Sequence, residues 1–167
     1  MSWTDHYRRQ EALDAVVDHA RRDPSGPLPY ADVPDVPELF DSPHAVLLAL
    51  HHRWLLRLSG RLAVAEADAA RDDTIDPVEA VSAAYRATAA ANPALLDVLD
   101  RHPGGLGEAR AREHRALAVA AGLAGAHEPA DEVARIGAAL TALIRTTPPR
   151  PDRCRTQTLW RRLVASA

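Results

Sequence analysis

Ser42-Pro-His-Ala-Val-Leu-Leu-Ala-Leu-His-His-Arg-Trp-Leu-Leu-Arg-Leu-Ser-Gly-Arg-Leu62 is the stretch that decides the fold. Its apolar residues Leu47, Leu50, Trp54, Leu58 and Leu62 recur every three or four positions, which places them on one face of a helix. The stripe continues through Ala65 and Ala69, so the spacing predicts one long helix from Ser42 to about Arg71. Ser42 stands where a cap accepts a hydrogen bond from the free amides of the first turn. Pro43 sits at the first helical position, where its missing N–H costs nothing.

The same device recurs along the chain. Asp76-Pro77 opens a helix to Ala91 with Val78, Val81, Tyr85 and Thr88 inward, and Asp76 with Glu79 makes a capping box. Asn92-Pro93 opens a short helix to Arg101 carrying Leu95, Leu96, Val98 and Leu99. After the His102-Pro-Gly-Gly105 break, an Ala-rich helix over Leu106–Leu123 is expected, with Leu117 inward and Gly125 as its stop. Glu128-Pro129 then opens a helix to Arg145 with Val133, Ile136, Leu140, Leu143 and Ile144 inward. Toward the N-terminus a first helix spans about Ser2–Arg22, with Trp3, Tyr7, Leu13, Val17 and Ala20 as core contacts. Residues 24–43 hold six prolines, which allow no more than a short turn of helix around Val36–Phe40. No alternating strand pattern occurs. The expectation is an all-α single-domain bundle of about six main helices over 1–145, with 1–43 as its N-terminal region and 43–145 as its core.

The totals narrow the function classes. The chain has 167 residues, 47% hydrophobic and 26% charged, enough for one domain with a core. One cysteine, Cys154, permits no internal disulfide, and no signal-like start or membrane-length apolar run is present, so a cytoplasmic setting is expected. All basic residues are arginine. Residues 1–144 hold 14 Arg against 22 acids, a balance of −8, whereas 145–167 hold six Arg against Asp152, a balance of +5. The body repels nucleic acid at long range, and a Pro/Arg-rich tail with Arg150, Arg153, Arg155, Arg161 and Arg162 can attract an acidic partner. Thr158–Val164 reads as a short terminal helix.

Catalytic and metal chemistry find little support. His44 and His51 are seven apart on one helix face, but Glu108, Glu113 and His114 lack the three- or four-residue spacing of a helical ligand pair. Ser59-Gly60 lies within a helix, Cys154 lies in the tail, and Gly104-Gly105-Leu-Gly107 lacks the strand and the Lys-Ser/Thr of a phosphate loop. No metal, cofactor or catalytic residue is expected. Trp54 and Tyr85, with His51 and His114, are the candidate walls of a ligand pocket between helices, core packing being the simpler account of the two aromatics.

Two stretches resemble the TetR-type transcriptional regulators. Leu39-Phe-Asp-Ser-Pro-His-Ala-Val-Leu-Leu-Ala-Leu50 is similar to that family's junction between the DNA-reading helix and the long connecting helix. Asp76-Pro-Val-Glu-Ala-Val-Ser-Ala-Ala-Tyr-Arg86 with Ala91-Asn-Pro-Ala-Leu-Leu96 is similar to a stretch of its ligand-binding domain, and Arg8–Val17 sits where its first helix would. The chain departs from the family at the reading head. Leu28-Pro-Tyr-Ala-Asp-Val-Pro-Asp-Val-Pro-Glu-Leu-Phe40 is too short for two helices and a turn, and carries three carboxylates with no cation to meet phosphates. The resemblance implies a non-enzymatic regulator that senses a small apolar ligand or a protein partner, without ordinary operator binding. It also implies a homodimer through the helices at Leu106–Leu123 and Pro129–Arg145. The alternatives from the residues are a small helical enzyme, or an interaction protein that works through its basic tail.

Overall fold

The computed structural model of the chain describes residues 3–23, 26–125 and 127–148. The arginine-rich tail, Cys154 and the expected terminal helix lie outside them. All regular structure among the described residues is helical: α1 (Trp3–Arg22), α2 (Val36–Leu39), α3 (Pro43–Arg71), α4 (Pro77–Ala91), α5 (Pro93–Arg101), a 3₁₀ turn at Pro103–Gly105, α6 (Gly107–Ala120) and α7 (Ala130–Thr146). The expected all-α bundle is what forms.

Two of the four proline-marked starts are capped as their sequences predict. Ser42 Oγ accepts from the Ala45 amide at 3.1 Å, and Asp76 Oδ1 from the Val78 amide at 2.9 Å. Each such cap contributes about 1 kcal/mol. The other two are corrected. Asn92 makes no side-chain cap; its Nδ2 donates back to the Thr88 carbonyl at 2.8 Å and so closes α4, while its carbonyl accepts the Leu96 amide at 3.1 Å at the start of α5. Pro129 is itself the boundary residue, and Glu128 turns away to accept from the Gly125 amide at 2.8 Å.

The end of α6 falls earlier than expected. Gly122 adopts φ 66°, the Gly122 amide reaches the Val119 carbonyl at 2.9 Å, and the Leu123 amide reaches that of Ala118 at 3.0 Å. This bond pair is the left-handed glycine stop of a helix, so Gly122 and not Gly125 ends α6.

α3 is the axis of the core. Its Val46, Leu50, Trp54 and Leu58 are fully buried, against Leu13 and Val16 of α1, Val81 and Tyr85 of α4, Val98 and Leu99 of α5, and Leu117 of α6. At roughly 1.5–3 kcal/mol per buried large apolar side chain, this set is the main stabilising element. Three expected core residues are exposed, and Val133 with Ile136 packs in a separate small cluster with Ala118 and Ala124. Among the described residues Trp3 and Tyr7 are exposed: α1 buries only its later Ala12, Leu13, Val16 and Ala20 face, and the two rings stack on each other at 5.9 Å. Leu143 is exposed because Leu140, Thr141 and Ile144 take the inward arc of α7.

Candidate functional site

A carboxylate lies in the middle of the core. On α6 the inward stripe runs Ala109, Glu113 and Leu117, with Ala121 just past its end, and only 4% of Glu113 is exposed. Its two oxygens are taken separately by donors from α3. His51 Nε2 lies 2.9 Å from Oε2, and Trp54 Nε1 donates to Oε1 at 2.9 Å. Positions 51 and 54 are one turn apart on α3, so the same helix face delivers both donors. Burial raises the Glu113 carboxyl, but the hydrogen bonds from His51 and Trp54 and the nearby charge of Arg110 outweigh it and hold it below its ordinary value. The group is therefore a buried carboxylate with both oxygens satisfied, which is the condition under which such burial is tolerated.

The network extends through aromatic contact and then charge. The Trp54 and Tyr85 rings meet edge to face with centroids 5.6 Å apart. The Tyr85 hydroxyl accepts from Arg145 Nε at 3.0 Å and Nη2 at 2.8 Å. Arg145 in turn pairs with Asp100 at 2.9 Å, and Asp100 with Arg110 at 3.0 Å. Burial pushes the Tyr85 hydroxyl up, the Arg145 hydrogen bond offsetting part of that rise. Through these side chains α3, α4, α5, α6 and α7 are tied together by polar groups as well as by apolar packing.

Of the four residues expected to line a pocket, the structure gathers His51, Trp54 and Tyr85 in this core and places their aromatic faces in contact or hydrogen bonding. His114 follows Glu113 on α6 and is half-buried, with burial lowering its pKa. The backbone there matters more than the ring: a Cβ built on Gly137 of α7 would lie 1.8 Å from the His114 carbonyl oxygen. Glu113, weighed from the sequence only as a metal ligand, is the core acceptor that sequence reasoning missed. Its signal was a charged side chain four residues before Leu117, on the inward face of an otherwise apolar stripe. Among the described residues no three His, Cys, Asp or Glu side chains gather as a metal site would.

Open space lies on either side of α3, lined by other residues. One groove of about 470 Å³ separates the C-terminal half of α3 from α4; Val64 and Ala65 face Ile75, Ala80, Ala83 and Ala87 across it. A larger one, about 600 Å³, lies between α1 and α3 under Phe40. Both fall in the size range of small-molecule sites. Comparison with protein-family models, with curated proteins and with solved structures finds no match to this chain.

Proposed function

We propose that the chain is a non-enzymatic helical binding protein, a TetR-like regulator without ordinary operator binding, that takes a small apolar ligand in the groove between α3 and α4. The observation that carries this reading is the composition of that groove. Small residues on both facing helices (Gly60, Ala65, Ala80, Ala83, Ala84 and Ala87) leave space that larger side chains would have filled, with the exposed Val64 beside Arg61 and Asp68 in the lining. Ala84 precedes Tyr85, whose hydroxyl holds Arg145 of α7. A ligand that moves α4 would be felt at α7 through that bond.

The region before α3 supports the loss of operator binding. Among the described residues between α1 and α3 a single four-residue helix occurs, and Asp35 and Glu38 face Arg8 at 3.9 and 3.8 Å, which uses a cation that a phosphate would need. For the homodimer, the apolar side chains that remain exposed at the last two helices (Val119, Leu123 and Leu143) are the support. Light scattering is expected to give twice the 18.1 kDa chain mass; a monomer at all concentrations would remove the dimer.

The ligand reading is tested by thermal unfolding against a panel of neutral hydrophobic compounds. A ligand at about 100 times its Kd stabilises the native state by ~2.7 kcal/mol, a rise of several degrees in Tm. Ala83 is exposed on α4, so Ala83→Leu fills the groove without entering the core. The shift is expected to vanish in that variant. No shift across the panel, or an equal shift in Ala83→Leu, would sink the reading.

A further inference from the structure

The groove between α1 and α3 differs in kind from the alanine-lined one. Ten residues line it, and none is Asp or Glu, in a chain with 23 acids against 20 arginines. Its polar wall is Arg9 from α1 with Arg53 and Arg57 from α3, supplemented by His6 and His52. Leu13, Phe40, Ala49 and Leu56 supply its apolar lining, the last 62% exposed.

The three guanidinium groups are held in place. Arg9 Nη2 donates to the Leu39 carbonyl at 2.6 Å, and its Cζ lies over the Phe40 ring at 5.0 Å. Arg53 Nη1 meets Asp14 at 2.7 Å, and Arg57 Nη1 donates to Asn92 Oδ1. Each of these anchors engages one terminal nitrogen, and a guanidinium carries five N–H donors in a fixed fork. Among the described residues one carboxylate, Asp14, is paired with these three cations. Arg53 and Arg57 are one helical turn apart, and Arg57 is lowered from its ordinary value first by burial and then by the charge of Arg53. A pre-positioned, under-neutralised set of arginines beside an apolar wall matches one class of ligand.

We propose that this groove binds a small amphiphilic anion, with Arg9, Arg53 and Arg57 around a carboxylate or phosphate head and Leu13, Phe40 and Leu56 against an apolar body. A polyanion fits less well, because the body outside the groove is acidic: residues 1–144 carry 14 Arg and 22 acids. The site is separate from the groove between α3 and α4 and does not depend on it.

The probes are decanoate, decyl phosphate and decanol, each below its aggregation threshold, measured by calorimetry and by Tm on the full chain. Decanoate or decyl phosphate is expected to bind and decanol not, with affinity falling as salt is raised. Binding of one anion alone identifies the head as carboxylate or phosphate. Leu56→Asp places a carboxylate on the groove wall at an exposed position, so the fold is retained and its ligand-free Tm reports this. Both variants are expected to weaken anion binding about tenfold or more, Leu56→Asp by like-charge repulsion and Arg53→Gln/Arg57→Gln by the loss of charged hydrogen bonds. Ala83→Leu leaves anion binding unchanged. Decanol binding as tightly as decanoate would overturn the proposal, as would undiminished binding in Leu56→Asp, or no binding of either anion at millimolar concentration. A short DNA duplex that displaces decanoate would overturn it in favour of nucleic acid.

Discussion

Gly137→Ala destabilises the protein by about 2–4 kcal/mol, although alanine is the better helix former by ~1 kcal/mol. Gly137 lies inside α7, where the added methyl would stand 1.8 Å from the His114 carbonyl oxygen, 2.4 Å from its carbon and 2.8 Å from its Cα. All three are backbone atoms of α6, so no side-chain rotation relieves the contact. The helices must separate, and α6 with α7 is the most extensively packed pair in the bundle. At about 2–4 °C per kcal/mol for a chain of this size, Tm falls by roughly 5–15 °C. Ala139→Gly on the exposed side of the same helix is the control, with the ordinary loss of ~1 kcal/mol. A Gly137→Ala variant as stable as the parent, in urea or on heating, would show that the two helices do not meet this closely.

The other large effect is expected at Glu113. Glu113→Leu leaves the His51 and Trp54 donors buried without an acceptor, and breaking a buried pair from one side costs about 3–5 kcal/mol. Replacing all three together, as Glu113→Leu with His51→Leu and Trp54→Phe, removes the unpaired donors and is expected to recover much of that loss. A triple variant no better than the single one would mean that packing, and not hydrogen bonding, governs the site. The pH dependence has a definite sign. Because the folded-state pKa of Glu113 is depressed, its contribution is fully present above the unfolded carboxylate value of about 4.3. It is lost as pH falls through the lower folded value. Equilibrium unfolding of the parent and of Glu113→Gln should therefore differ most above about pH 4.3 and converge below it. A difference that grew on acidification would contradict the assignment.

Helix identity was legible because it depends on near neighbours. A cap and a proline act within one turn, so Ser42-Pro43 and Asp76-Pro77 marked their helices without help from the rest of the chain. Asn92-Pro93 shows the limit of that rule. The start of α5 was right, but the asparagine is held from behind by the Thr88 carbonyl and from across by Arg57, and the second partner lies 35 residues away. Trp3 and Tyr7 fail for a related reason: periodicity names a face of α1, whereas burial depends on whether another element reaches that turn. Of the candidate site, His51, Trp54 and Tyr85 were recognisable as an aromatic group on inward faces. Glu113 was weighed only as a metal ligand, since its partners on α3 lie 59 and 62 positions before it.

What the sequence determined by itself was the all-α class, the extent of α3 and α4, and the absence of room for two helices between α1 and α3. These follow from short-range sterics and from the 3.6-residue period. The tertiary structure decided which charges are buried and where space remains. Glu113 is a core residue only because α6 crosses α3 at His51 and Trp54. Arg9, Arg53 and Arg57 line one groove only because α1 and α3 approach each other there. Gly137 carries the same lesson in a single atom: along the chain it is a weak point in a helix, and in the fold it is the position where a methyl group has no room.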